Sequence, residues 1–309
     1  MKITNGNYNH ICPWNYYICH MEQKFKVAEH IFSLRMRDES PLWHHIDNYL
    51  PFKVEGGEPI FSLEVVKELD RRPKRDLLLS GEEFPEMPRI DLYEEQDGEK
   101  WIEVAPLSTM APSGFIRISK GYTSAQIQIE KHPKFCLDNA LMILFAFRTV
   151  KLATLEMHSS VIVNEGEAYM FLGHSGAGKS THSRMWLENI PQSTLLNDDN
   201  PILRVHDNGE VRVYGSPWSG KTPCYKNLSA PVKATVSIVQ APHNSIRKLT
   251  TMEAFTRLHS SISGYWGEEQ MVDHLCETIS TFISKVKHFE LECLPDGDAA
   301  RLSQKAANQ

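Results

Sequence analysis

Gly173-His174-Ser175-Gly176-Ala177-Gly178-Lys179-Ser180 is the stretch on which the reading of this chain turns. It fits the phosphate-loop pattern G-x-x-x-x-G-K-[ST] at every position. Its glycines let the backbone curl until several N–H groups face one cluster of phosphate oxygens. In that geometry Lys179 reaches the outer phosphates and the Ser180 hydroxyl sits on Mg²⁺. A helix starting there adds its positive N-terminal end to the same anion. The flanks agree with this. Glu167 to Leu172 is an apolar run of strand length, preceded by the turn signal Asn164-Glu165-Gly166 and a second strand, Ser159 to Val163. Thr181 to Leu187 reads as a helix, stopped at Ile190-Pro191.

Two further features carry chemistry. Leu195-Leu196-Asn197-Asp198-Asp199-Asn200 is a short apolar lead-in ending in two carboxylates, as on a strand that delivers acids to a sheet edge. Neighbouring strand residues face opposite sides, so one acid is expected at the phosphates and metal, the other at a neighbouring strand or a general-base position. The same letters also suit an Asx turn. His158 opens the strand before the loop; it is either a structural histidine or one that orients a carboxylate or relays a proton.

Taken together, His158-Ser159-Ser160, the loop Gly173 to Thr181 and Asn197-Asp198-Asp199 resemble the catalytic domain of HPr serine kinase/phosphorylase. The loop and acid pair are also similar to those of ATP-dependent phosphoenolpyruvate carboxykinase. Ser216 to Lys221 and Leu291 to Asp296 resemble segments of shorter bacterial HPr-kinase-like proteins. The resemblance spans about residues 150–300. It implies an α/β P-loop fold with a mixed sheet and helices. It also implies that Gly173, His174, Ser175, Gly176, Ala177, Gly178, Lys179, Ser180 and Thr181 hold the phosphates of ATP. Ser180 would contact Mg²⁺, Asp198 would take the proton of the attacking hydroxyl, and Asp199 would pair with His158 or assist the metal. The activity implied is transfer of the γ-phosphoryl of ATP to a hydroxyl, that of a serine in a protein or peptide. A small-molecule kinase and a nucleotide-binding regulator without transfer are the alternatives. HPr kinases form rings, so a homo-oligomer is a further possibility the resemblance raises.

The remainder of the chain sets bounds. At 309 residues, two domains are expected: a β-rich one over 1–132, and a nucleotide-binding catalytic one over 133–309. Composition is ordinary for a globular protein, with 41% hydrophobic and 23% charged residues. A net charge of −6 gives no general attraction to nucleic acid. The longest apolar run, Ala140 to Phe147, is too short to cross a bilayer, and the opening residues are polar, so no membrane association and a cytoplasmic location are expected. The six cysteines at 12, 19, 136, 224, 276 and 293 lack metal-site spacing and read as free thiols. The basic run Arg71-Arg72-Pro73-Lys74-Arg75 reads as a solvated loop or a docking patch.

Period-two alternation at Phe32 to Arg37, Trp101 to Ala105 and Ala125 to Glu130 predicts strands. A helix is predicted from Pro133 to about Leu155, and a hairpin around Asn208-Gly209. The segment Gly215 to Pro223 either closes over the nucleotide or substrate, with Lys221 as a second phosphate ligand, or is a rigid loop around a packed Trp218.

Overall fold

The computed structural model describes residues 20–70, 74, 76–81, 88–95, 97–220, 222–264 and 267–309. Cys12, Cys19, Arg71 to Pro73, Arg75 and the proposed phosphate ligand Lys221 lie outside the described residues. The architecture is mixed α/β, with two large mixed sheets and few helices.

The first sheet comprises β1 (His20–Val27), β2 (His30–Arg37), β3 (Lys53–Val54), β4 (Ser62–Val66), β5 (Asp76–Leu79), β6 (Arg89–Glu94), β7 (Lys100–Ala105), β8 (Gly114–Ile118) and β9 (Ser124–Ile129). Their order is β3-β1-β2-β4-β9-β8-β7-β6-β5. Only β4 breaks the antiparallel pattern, running parallel to both β2 and β9. Lys74, from the basic run, forms an ion pair with Glu103 on β7.

The chain then forms α1 (Pro133–Thr149) and a short 3₁₀ turn, Val150–Leu152, before β10 (Thr154–Glu156). The long helix expected through Leu155 therefore ends six residues early. Ala153 adopts a left-handed conformation (φ +49°), which no α-helix accommodates, and the chain leaves it as a strand.

The second sheet contains β11 (Ser159–Asn164), β12 (Glu167–Leu172), β13 (Thr194–Asp199), β14 (Ile202–Val205), β15 (Val211–Tyr214), β16 (Ser229–Gln240), β17 (Ser245–Lys248) and β18 (Lys287–Cys293), together with β10. Its helices are α2 (Lys179–Asn189), α3 (Thr251–His259), α4 (Glu269–Lys285) and α5 (Gly297–Asn308). The long strand β16 organises it. Its first residues pair antiparallel with β15, and its remainder lies parallel between β12 and β18. β11 and β13 extend the sheet beyond β12.

The apolar run of β12 follows from this position. Ala168, Met170 and Leu172 enter the main core, which is shared with α1 and the first sheet. Tyr169 and Phe171, on the alternate face, enter a second cluster with Trp186 of α2 and Ala299 and Ala300 of α5. A strand buried on both faces has no polar side to show, hence the unbroken hydrophobicity. The main cluster runs from Phe25 and Leu34 of the first sheet through Leu141 and Phe145 of α1 to Val213 and Phe282 of the second half. No described helix is long and apolar enough to cross a membrane.

Candidate active site

The phosphate-loop residues link the end of β12 to the start of α2. Gly173, Gly176 and Gly178 have φ of +146°, +81° and +106°, a region where side chains strain the backbone. At Gly173 a Cβ would stand 2.8 Å from Cβ of Ala177 and 3.3 Å from the Ile238 carbonyl, so only glycine fits the start of the loop. Gln240, at the end of β16, donates from Nε2 to the Gly176 carbonyl at 2.9 Å and ties the loop to the sheet. Behind it, α2 is fixed by a 2.6 Å hydrogen bond between the Ser183 and Ser160 hydroxyls, and by Trp186 donating to Ser303 of α5 at 3.0 Å. A loop framed in this way is preorganised for an anion.

Lys179 is buried, and its Nζ donates to the carbonyls of Gly173 (2.9 Å) and His174 (3.2 Å). Burial lowers its pKa below the ordinary lysine value, while Asp199 and Asp198 act in the opposite sense. Ser180 donates from Oγ to Oδ1 of Asp198 at 2.9 Å. Nδ1 of His158 lies 3.3 Å from Oδ1 of Asp199. Burial first, then the charge on Lys179, lowers the pKa of His158, against Asp199 and Asp198, which raise it. His158, Ser175, Gly176, Gly178, Lys179, Ser180, Thr181, Asp198, Asp199 and Gly220 line one cleft of about 440 Å³. Gly173 and Ala177 belong to the same loop, and His174 uses its carbonyl to hold Lys179.

The acids depart from the expectation of opposite strand faces, because both line this cleft. Asp199, the last residue of β13, has φ +141°, and that turn replaces the regular alternation of the strand. The contacts also sort the two acids: Asp198 is beside Ser180, and Asp199 is beside His158. Asn197, fully buried, donates from Nδ2 to Ser216 Oγ (3.2 Å) and to the Trp218 carbonyl (3.1 Å), fixing the following segment under the acids. Gly220 then donates its N–H to the Asp198 carbonyl at 2.8 Å. Trp218 is buried and donates from Nε1 to the Tyr49 hydroxyl at 2.9 Å. Segment 215–220 is thus both a packed loop around its tryptophan and a wall of the cleft.

Gly220 belongs to the segment Gly215 to Pro223 that the sequence offered as a closing loop; sequence reasoning missed one further part of this region. A second hollow of about 680 Å³ shares Gly178 and Thr181 with the cleft and is bounded by Ile238, Pro242, Leu294 and Pro295. It is assembled from four separate elements, and no local pattern announces it. Chemically, the Ser180 hydroxyl and the Asp198 carboxylate are hard oxygen donors of the kind Mg²⁺ takes. The loop amides and Lys179 suit phosphate oxygens. No family model matches the chain, and no curated protein matches it.

Proposed function

We propose that this chain is an ATP- and Mg²⁺-dependent kinase with an HPr-kinase-like P-loop fold, acting on a hydroxyl, that of a serine in a protein or peptide. The observation that carries the reading is the 2.9 Å contact of Ser180 with Asp198 at the mouth of a glycine loop, beside a second acid held by His158. An intact loop alone binds phosphate; a loop with two differently partnered acids also has the means to activate an acceptor.

In this reading Lys179 exchanges its bonds to the Gly173 and His174 carbonyls for phosphate oxygens. The adjoining apolar hollow takes the nucleoside. Ser180 and Asp198 would hold Mg²⁺, which when bound neutralises charge on the outer phosphates. The contacts favour Asp199, in place of Asp198, as the acid that accepts the acceptor's proton. His158, kept neutral by burial, donates from Nδ1 and orients that carboxylate. The hydroxyl oxygen forms a bond to the γ-phosphorus as the bond to the bridging oxygen breaks, and ADP leaves.

The test is incubation with γ-labelled ATP, Mg²⁺ and a protein and metabolite extract. Wild type is expected to label a protein. Asp199→Asn is expected to keep ATP binding while transfer falls by about 10²-fold or more. Asp198→Asn is expected to lose the Mg²⁺ dependence of binding. Transfer at the normal rate by Asp199→Asn would overturn the role given to that acid. Label on small molecules alone would make the chain a metabolite kinase, and binding without transfer would make it a regulator.

A further inference from the structure

A separate cavity, about 240 Å³, lies between the first sheet and α1, away from the phosphate loop. Leu92 and Ile102 of the sheet and Met142 and Phe147 of the helix supply apolar walls. It opens beside Leu79, which is 46% exposed. Its one ionisable lining group among the described residues is Glu156, the last residue of β10. Glu156 is only 1% exposed, and among the described residues neither carboxyl oxygen makes a close hydrogen bond, the Ser263 side chain lying near enough only to favour its charged form.

A buried carboxyl without close partners is costly. A buried polar atom that makes no hydrogen bond forfeits the solvation it had in water, more so when the group is charged. Burial is the main cause that raises the pKa of Glu156 well above the ordinary carboxylate range; the charge of Asp199 adds to it, and Ser263 acts weakly in the opposite sense. Among the described residues the lining has no Lys, Arg or His to meet an anion, whereas an ammonium would donate to the Glu156 oxygens and let the carboxyl ionise. The rest of the cavity asks for hydrocarbon.

We propose that this cavity is a binding site for a compact apolar amine, whose ammonium pairs with Glu156 and whose hydrocarbon body fills the space between the first sheet and α1. A dry apolar cavity of about 150 Å³ holds a benzene, so this one takes a body of roughly ten heavy atoms. A free amine and the N-terminus of a peptide that begins with a large apolar residue present the same chemistry. The site is independent of the reading of the phosphate loop.

The probe is 2-phenylethylamine, titrated calorimetrically into the full chain, with 2-phenylethanol as the neutral isostere. One amine is expected to bind per chain, about tenfold or more tighter than the alcohol. Glu156→Gln is expected to bring the amine down to the affinity of the alcohol. Ala146→Leu, which fills the cavity without touching the charge, is expected to abolish binding of both. Asp199→Asn should retain the amine, which separates this site from the acid pair in the cleft. Competition by Phe-Gly-Gly but not by its N-acetyl form would assign a peptide N-terminus as the source; no competition by either would assign a free amine. An alcohol that binds as tightly as the amine would overturn the proposal. So would a Glu156→Gln or Ala146→Leu chain that binds the amine like wild type. Should Glu156→Gln fail to fold, the alcohol comparison and Ala146→Leu still decide.

Discussion

At Asp199 the backbone turns with φ +141°, a conformation that costs residues bearing a Cβ about 1–3 kcal/mol. That turn is what lets consecutive acids line one cleft. Two truncations isolate the strain of that turn. Both Asp199→Ala and Asp199→Gly remove the carboxylate and its contact with His158, but only glycine relaxes the turn. Even after the ~0.5–1 kcal/mol that glycine loses in chain entropy, Asp199→Gly is expected to be more stable than Asp199→Ala by about 1 kcal/mol. Urea unfolding of the two variants measures this; equal stabilities, or a more stable alanine variant, would mean that the turn is unstrained. Gly173 to Ser180 were legible as a glycine loop between a strand and a helix because their pattern is local and each glycine has one backbone task. The pairing of Asp199 with His158 was one of two alternatives the resemblance offered, and the contact of Asp198 with Ser180 was not legible, since a single φ angle decides between them. Glu156 was invisible for another reason: in the sequence it is one acid among many, and its isolation arises only when the first sheet closes over it.

Among the elements, those with strong punctuation were read correctly. The hairpins at Asn164-Glu165-Gly166 and Asn208-Gly209 are both present, with Gly166 and Gly209 at φ +82° and +81°. α2 and β13 lie where the loop and the acids required them. Errors fell where local propensity continued past a tertiary boundary. Val150–Leu152 has the composition of a helix end, yet Ala153 reverses the chain so that β10 can pair with β14. β16 begins at Ser229, and its first part serves a different neighbour, β15. There Pro231, which has no N–H to give, is paired with Arg212. The segment around Trp218 was left open between a packed loop and a closing one. The ambiguity was real: Trp218 stacks near Phe32 and Phe145 across the core, while Gly220, two residues on, reaches the acids.

For the whole molecule, the two sheets are wrapped around a common hydrophobic cluster through α1, so what disturbs one half is felt in the other. Composition announced a globular chain, but this sharing depends on long-range register and could not be read from it. Three buried histidines, His30, His182 and His288, couple the whole fold to pH. Burial lowers each from 6.5 to about 4. Between these values the unfolded chain binds protons that the folded chain refuses, so stability is complete above pH 6.5 and falls as pH drops towards 4. The loss is expected to reach roughly 3 kcal/mol for each histidine and about 10 kcal/mol for the three, measured as the urea midpoint against pH, with His182→Asn showing a shallower slope. A midpoint that stays flat from pH 7 to 4.5 would mean that these histidines protonate in the folded state. Whether Gly173 to Thr181 cradle a nucleotide is decided by titrating ATP with Mg²⁺ into wild type and Lys179→Ala by calorimetry. One nucleotide should bind per wild-type chain, and the variant should bind on the order of tenfold or more weakly. Wild type that binds no nucleotide, or a variant that binds it equally well, would contradict the account.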